Sequence, residues 1–454
     1  MAFIVKIKNL VEGLPPWILK PFQFLPYDFR LGPKYRKIKR HISRTQSKMS
    51  NETDDCYAEL HSLLTFAYEN VPFYRSFYSS KGFSPNDFRS MSDWEKVPIV
   101  TKSDLRDISL EDRTARNAKS YITLNTGGTS GSPLSFRVGA DAFAVEWAHM
   151  HSIWELFGYS FRQAKVTFRG KHFDRSLKYK FNPIHNEYIV NSAVPIAELV
   201  KDVGQLFTSG LASWIHGYPS LVAEFANAID SLATNQKSAI ANKVKGVLLG
   251  SEAPLKIYRD SISEHLSGNI VSWYGHSEMA LLARETEEDV YESFPSYGYS
   301  EAVLCKLQSK YKLVSTSLHN RVHPFIRYDT GDLVDVIDSD KKIGKLEFRV
   351  TGGRVGEFVI DKDGVKHSLT AIIFGRHHRA FSEASHLQIC QPKEGELIFV
   401  ITVGCQRSGL TLSSFDLKGL NFDFSILLVR SPIRTLNGKI KLKLSFNDLT
   451  DVHR

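Results

Sequence analysis

Residues 124–136, LNTGGTSGSPLSF, gather Thr126, Gly127, Gly128, Thr129, Ser130 and Gly131 into one run before the chain returns to an apolar segment. Ordering glycine costs conformational entropy, so such a run needs a use. Loops of this composition aim several backbone N–H groups at one anion, and their hydroxyls add donors. The GxxxxGK[ST] pattern is absent, and taken alone the run reads equally as a plain turn. Ser272–Ala283, SWYGHSEMALLA, ends an apolar strand in Trp273, Tyr274 and Gly275, then presents His276, Ser277 and Glu278. A carboxylate at a strand end beside a phosphate site suits Mg2+, which takes hard oxygen ligands and keeps phosphate oxygens among them. The bland alternative for Glu278 is an acid at a helix N-terminus. In Phe325–Val334, FIRYDTGDLV, two Asp bracket Thr-Gly. A turn explains Asp329 and Gly331, while Asp332 is of the type that accepts both hydroxyls of a ribose. In Val350–Gly364, VTGGRVGEFVIDKDG, Arg354 lies on a Gly-flanked bend that suits a hinge or a hairpin. In Ser431–Leu444, Asn437-Gly438 signals a tight turn and Lys439 follows it, either as a surface lysine or at a loop tip able to reach another domain's cleft.

These residues need rigid neighbours. Residues 55–69 repeat Tyr57, Leu60, Leu63, Leu64 and Ala67 at helical steps, and Pro72 blocks a continued helix. Thr101 or Ser103, with Asp104 in the first turn, caps a further helix. LSFRV after the small-residue run predicts a short strand, and ADAFAVEWAHMHSIWELFGY a long helix. AKVTFRG, KVKGVLLGS and NIVSWYG are apolar strands that end in Gly or Ser, separated in part by helices such as SLVAEFANAIDSLA. That alternation predicts α/β layers with a largely parallel sheet. From about Tyr297 the texture becomes strands without long helices, and after Gly353 a smaller unit of roughly 100 residues begins. The expected organisation is a basic N-terminal arm over 1–50, a larger α/β domain over 51–353 with a β-rich subdomain, and a small mobile α+β lid over 354–454.

Length, an apolar share of 42% and a charged share of 24% fit a globular protein of two or three domains. The net charge is +9, and Leu31–Arg44, LGPKYRKIKRHISR, crowds Lys and Arg together. A solvated helix face and an anionic surface both explain that run. Aromatics are not interleaved with the cations, which argues against nucleic acid. Apolar Pro15–Tyr27 beside it is either an arm packed on the main domain or a peripheral membrane contact. Cys56, Cys305, Cys390 and Cys405 form no CxxC pair, which excludes a usual zinc cluster and argues against a disulfide framework. Lys, Glu and a Pro pair interrupt the N-terminal apolar stretch, so no signal peptide is expected, and no apolar run is long enough to span a bilayer. A cytoplasmic protein is the expectation.

Taken in order, the five stretches resemble the ordered motifs of the adenylate-forming superfamily of acyl-CoA synthetases, adenylation domains and luciferases. Within it they resemble the phenylacetate–CoA ligase-like branch that includes CapK proteins of capsular polysaccharide synthesis. LPYDFRLGPKYR, AYENVPFYRSFY, KVPIVTKSDLR, WIHGYPSLVAEFA and LLGSEAPL are similar to that branch as well, so the resemblance runs from about residue 15 to about 445. It implies that Thr126 to Gly131 hold the ATP β- and γ-phosphates and that Gly250, Ser251 and Glu252 form the adenine-side loop. Trp273, Tyr274 and Gly275 would flank adenine and the acyl group. Glu278 would bind Mg2+, and His276 would stand with it among the catalytic groups. Asp332 would hold the ribose hydroxyls, Arg354 would contact ribose or phosphate at the hinge, and Lys439 would reach in for adenylation.

The implied activity is ATP-dependent conversion of a carboxylic acid to its acyl-adenylate with release of pyrophosphate, followed by transfer to a thiol, with CoA the expected one. The alternatives are a non-CoA acceptor in polysaccharide synthesis and a nucleotide-binding scaffold without catalysis. Neutralising charge on the phosphoryl oxygens and the departing pyrophosphate is the main task of such a site. Two departures stand out: Leu134 and Ser135 follow Pro133 where many members carry Lys, and Val355, Gly356 and Glu357 follow Arg354 where the hinge often carries Asp. The acyl pocket is expected between WIHGYPS and WYGHSE, with His216 read as a structural histidine.

Overall fold

The computed structural model describes residues 20–45, 52–125, 134–139, 141–305, 310–338, 343–352, 358–364, 366–373, 378–382, 384–403, 409–434 and 440–450. Helix α1 (Gly32–Thr45) turns Tyr35, Ile38 and Ile42 inward, at the three- and four-residue steps of one helix face. Helix α2 (Glu52–Asn70) ends where expected, and Pro72 opens α3 (Pro72–Ser80) at a position that needs no N–H donor. Thr101 caps Lys102–Arg106 in a reciprocal box with Asp104: its amide donates to the carboxylate at 2.8 Å and its hydroxyl accepts from the Asp104 amide at 3.3 Å.

Strands β1 (Tyr121–Asn125) and β2 (Ser135–Gly139) pair antiparallel with Asn125 opposite Ser135. This register ties together the two ends of the Gly/Ser/Thr run. Helix α4 (Ala142–Glu155) follows β2. Strands β3 (Lys165–Phe168), β5 (Glu187–Val190), β6 (Trp214–Gly217), β7 (Gly246–Leu249) and β8 (Asn269–Gly275) form a parallel block in the order β5-β3-β6-β7-β8, edged by antiparallel β4 (Tyr179–Asn182). Side chains alternate across it. Ile215, Val247 and Leu249 face helices α5 (Ile196–Thr208), α6 (Pro219–Ala228) and α7 (Lys256–His265). Trp214, Leu248 and Val271 face α1 and α4. The expected α/β layers are therefore present, with helices on both faces.

The β-rich part is not a separate sheet. Beyond β8 the same sheet continues through β9 (Leu282–Glu287), β10 (Val290–Ser293), β15 (Glu347–Gly352), β13 (Tyr328–Val336), β12 (Lys310–Ser317), β11 (Gly298–Cys305) and β14 (Ile343–Gly344), all antiparallel, for 13 strands in total. The Asp-Thr-Gly-Asp stretch, expected as a turn, is a bulge inside β13: the register with β12 shifts between Lys312 and Val314, and Gly331 has φ 82°. Glycine adopts that left-handed conformation without the steric penalty a side chain would meet.

Just before β13, Arg327 donates to Glu301 at 3.0 and 2.8 Å and to the carbonyls of Glu95 and Val97, while Trp94 Nε1 donates to Glu301 at 2.7 Å. Both charged side chains are buried. Removing one partner of a buried pair strands the other charge, so Arg327→Met should lower unfolding free energy by about 3 kcal/mol in urea titration. A shift of less than about 1 kcal/mol, the range of an exposed pair, would mean the pair is not holding β13 in place.

The C-terminal residues build their own elements. Strands β16 (Phe358–Ile360) and β17 (Lys366–Ser368) form a hairpin, and β18 (Ala384–Cys390), β19 (Glu396–Val403), β20 (Asp423–Val429) and β21 (Lys443–Leu444) form a sheet in the order β20-β19-β18-β21. Leu387, Ile389, Leu397, Phe399 and Ile401 supply its core. Among the described residues no helix is long and apolar enough to cross a membrane.

Candidate functional site

Strand β8 is parallel to β7 on one side and antiparallel to β9 on the other. The carboxyl ends of β3, β6, β7 and β8 therefore open on one edge, next to the place where strand direction changes. Open α/β sheets bind ligands in that position. The candidates at 250–252 and 273–278 lie on this edge, and Asp332 is hydrogen-bonded to it.

Tyr274 donates its hydroxyl to Asp332 on β13. Four residues back along β13, the Tyr328 hydroxyl donates to Glu278 Oε1 at 3.2 Å. The end of β8 is thus braced twice against β13, and the bulge at Gly331 lies between the two braces. Glu278 is 6% exposed, and its other oxygen lies 3.2 Å from His276 Nδ1. An ionised carboxylate only accepts, so Nδ1 carries the proton in that contact. His276 Nε2 is buried with no hydrogen-bond partner among the described residues. Other buried ring nitrogens share that state, His216 Nδ1 among them, so this one is set apart by its place beside Glu278 at the sheet edge.

The loop after β7 is shaped by contact. Gly250 lies flat on the Trp273 indole, so a Cβ there would collide with the ring, and Ser251 has φ 70°. Met279, just after Glu278, has φ 54°. Side chains in this left-handed region cost about 1 kcal/mol or more each, and such strain gathers at functional sites.

Glu252 does something other than face the edge. Its Oε2 accepts from the Ser220 amide at 3.3 Å and its Oε1 from the Ile440 amide at 3.1 Å. Ile440 directly follows Lys439. Nearby, Arg434 donates to Glu224 at 2.9 Å, and Tyr258 on α7 lies 3.1 Å from His386 Nδ1 on β18. Burial raises the pKa of Glu224, and Arg434 opposes that rise. These three contacts seat the C-terminal sheet on α6, α7 and the loop after β7.

Several expected residues lie outside the described ones: Thr126, Gly127, Gly128, Thr129, Ser130, Gly131, Arg354 and Lys439. Only their flanks are in view. Asn125 pairs with Ser135, and an antiparallel bridge joins Arg434 to Ile440.

The space between WIHGYPS and WYGHSE, expected to hold the acyl group, is occupied. The Trp154 ring lies 5.3 Å from His216 and 5.7 Å from Trp273, and His216 stacks on Trp273 at 5.8 Å. Burial foremost, then the positive charge of Lys165, holds the His216 pKa down to about 3, so this ring is neutral and structural. A small cavity is bounded by Val145, Met279, Tyr297, Ser317 and His319.

Three residues were not anticipated. Tyr328 holds Glu278, and its signal was its place in RYDTGD four residues before Asp332. Trp154 fills the expected pocket. Glu146, a carboxylate on the otherwise apolar start of α4, accepts from the Tyr297 hydroxyl; burial raises its pKa, and the Tyr297 bond and the nearby His276 ring pull it back. Among the described residues no three His, Cys, Asp or Glu side chains group to hold a metal ion. The donor set at Glu278 fits Mg2+ only in its phosphate-bound mode, with one protein carboxylate and the remaining ligands from substrate and water.

No family model matches the chain. It is 42% identical over 71 residues to the phenylacetate-coenzyme A ligase of Escherichia coli K12, spanning 15% of this chain and 16% of that one. It is 26% identical over 307 residues to the Pseudomonas putida phenylacetate-coenzyme A ligase, 63% of this chain and 68% of that one. It is 20% identical over 276 residues to Staphylococcus aureus protein CapK, 59% of each. The first and third alignments thus span less than two thirds of those relatives. A 2-hydroxyisobutyryl-CoA ligase in the postadenylation state, in complex with 2-HIB-AMP, superposes with a TM-score of 0.63 at 18% identity over 87% of this chain and 90% of that one. An acyl acid amido synthetase in complex with 2,4-DB does so with 0.57 at 10% identity over 91% and 96%. At these identities the structural likenesses establish the fold.

Proposed function

We propose, for a chain that belongs to the adenylate-forming superfamily in its phenylacetate–CoA ligase-like branch, that it is an AMP-forming acid–thiol ligase. A carboxylate oxygen of the acid attacks the α-phosphorus of ATP, the bond to the bridging oxygen breaks, and its electron pair leaves with pyrophosphate. A thiol, CoA in this reading, then gives up its proton, attacks the acyl carbonyl and releases AMP. The reaction belongs where ATP and CoA are available, in the cytoplasm. Peripheral membrane contact through the basic N-terminal region would affect only where the protein works.

The observation that carries this reading is the double brace between β8 and β13. It holds two carboxylates, Asp332 and Glu278, on one edge through the hydroxyls of Tyr274 and Tyr328. That arrangement gives a ribose one carboxylate and a polyphosphate the other. Asp332 binds the ribose hydroxyls, and the Tyr274 hydroxyl orients its carboxylate. Gly250 and Trp273 form the floor under adenine. His276, with Nδ1 donating to Glu278, meets a phosphoryl oxygen through Nε2–H as the imidazolium, in which both ring nitrogens donate. Glu278 would hold Mg2+, which would supply positive charge against the triphosphate. Thr126 to Gly131 surround the β- and γ-phosphates with amides and hydroxyls, Arg354 meets the nucleotide at the hinge, and Lys439 adds positive charge at the α-phosphate.

With Trp154 wedged beside Trp273, the acid is small. Incubation with ATP, Mg2+, CoA and a mixed library of acids, followed by mass spectrometry, tests the whole reading. The expected products are AMP, pyrophosphate and one acyl-CoA. ATP binding without turnover of any acid would leave only a nucleotide-binding scaffold. The likeness to CapK and to an amide-forming synthetase favours adding sugar amines and amino acids as acceptors in a parallel incubation.

The ribose assignment has its own test. Asp332→Ala should raise the KM for ATP about tenfold with kcat nearly unchanged, because ribose contacts are equal in ground and transition states. An unchanged KM would remove Asp332 from the nucleotide site.

A further inference from the structure

We propose that residues 20–45 form a docking surface for an anionic lipid bilayer, independent of the chemistry at the β8 edge. The segment is anchored from within. Tyr27 donates its hydroxyl to the His185 carbonyl at 3.0 Å and stacks on His151 at 3.9 Å, and Tyr35, Ile38 and Ile42 are buried. Arg30 donates to the carbonyls of Phe161, Pro183 and Ile184. Lys39 is drawn inward to Ser152 and Glu155. What remains outside is therefore held there by the packing behind it.

Phe22, Phe24, Leu25 and Phe29 are 47%, 66%, 39% and 64% exposed. They are four of the thirteen large apolar side chains found exposed among the described residues, and they fall within eight positions. Singly scattered apolar residues need no explanation, but a cluster does. On α1 the face opposite Tyr35, Ile38 and Ile42 carries Lys37, Arg40 and Arg44 at three- and four-residue steps, all exposed. Arg36 joins the two parts, with its guanidinium over the Phe29 ring at 5.1 Å. Residues 20–45 hold eight Lys and Arg against one acid, Asp28, a net +7 of the chain's +9. Lys34, Lys37 and Arg40 make no ion pair among the described residues.

The charge decides the occupant. A second copy of this face would set Lys37, Arg40 and Arg44 against the same cations, and only an anionic partner relieves that. Nucleic acid would call for aromatics set between the cations for base stacking, whereas here the Phe side chains gather at one end and carry no hydrogen-bonding group. Clustered Phe and Leu beside a basic helix face match the headgroup boundary of an anionic leaflet, with rings in the acyl region and cations at the phosphates.

Flotation of the full chain with vesicles tests this. It should bind phosphatidylcholine vesicles that contain phosphatidylglycerol, not pure phosphatidylcholine, and binding should fall as salt rises. Lys37→Glu with Arg40→Glu should weaken binding at least about 25-fold, near fivefold per cation removed. Phe24→Ser with Phe29→Ser should weaken it at least about tenfold. Thermal melts of both variants should match the parent, since the altered side chains are outside the core. Equal binding by parent and both variants, equal binding to neutral vesicles, no binding at all, or self-association of the parent through this face would each overturn the proposal.

Discussion

Glu278→Gln should slow pyrophosphate release about 10³-fold, near 4 kcal/mol of transition-state stabilisation. The amide keeps the shape of the side chain and can still meet Tyr328 and His276, so folding should hold. What it loses is the negative charge that binds Mg2+ beside the triphosphate and keeps the proton on His276 Nδ1. Both losses act where charge develops, so kcat should fall while acid binding stays near the parent value. Raising Mg2+ should recover part of the rate. Tyr328→Phe separates position from charge. It removes one hydrogen bond to the Glu278 carboxylate at 3.2 Å and should cost about tenfold, the low end for a bond to a charged group. A pyrophosphate-release assay over a Mg2+ titration reads both. If Glu278→Gln stays within about threefold of the parent, the metal assignment fails, and Glu146 becomes the carboxylate to examine.

Mild acid should unfold the protein. Burial pushes the pKa of His149, His323 and His386 down to about 3, from 6.5. His151 is shifted the same way, again by burial first. The packing shows why. His149 donates from Nδ1 to the Val145 carbonyl at 2.9 Å and meets Ser296 Oγ at 3.0 Å through Nε2, which leaves no room for a hydrated cation. An unfolded chain protonates these rings below about pH 6.5, and the folded one resists until about pH 3. Their folded pKa values are depressed, so stability is full above 6.5 and is lost as pH falls through that window. At about pH 5 each ring costs about 2 kcal/mol, and three cost about 6, comparable with the whole stability of many domains. The urea midpoint should therefore fall steeply between about pH 7 and pH 5. A flat profile would mean these rings take up protons in place. His386 lies against Tyr258 where the C-terminal sheet meets α7, so the C-terminal unit should loosen first.

Much of this was legible in the residues. Pro72, the Thr101–Asp104 cap and the alternating apolar runs announced their elements because each rests on local geometry. Trp273, Tyr274, Glu278 and Asp332 were visible as types at strand ends. Their pairing was not, because Tyr274 and Asp332 stand 58 positions apart and meet only through the order of strands. The Asp-Thr-Gly-Asp stretch read as a turn because Gly331 has the same backbone conformation in a turn as in a bulge. Trp154 was invisible as a pocket-filling residue, since helical period says which face is buried and nothing about what it meets. Glu252 looked like part of a nucleotide loop by its neighbours in sequence, and only the fold reveals that its two oxygens hold amides from α6 and from the residue after Lys439.

One consequence concerns recombination. Because β8 is shared by the parallel and antiparallel halves, a chimera joined anywhere between about residue 165 and residue 352 mixes backbones within one hydrogen-bonded ladder and must match twist and stagger on both flanks at once. A splice at 353 severs no strand pairing among the described residues and asks that the graft supply partners for Glu224, Glu252 and Tyr258, as Arg434, Ile440 and His386 do. Exchange of C-terminal units among relatives should therefore yield folded hybrids far more often than exchange of acid-binding halves.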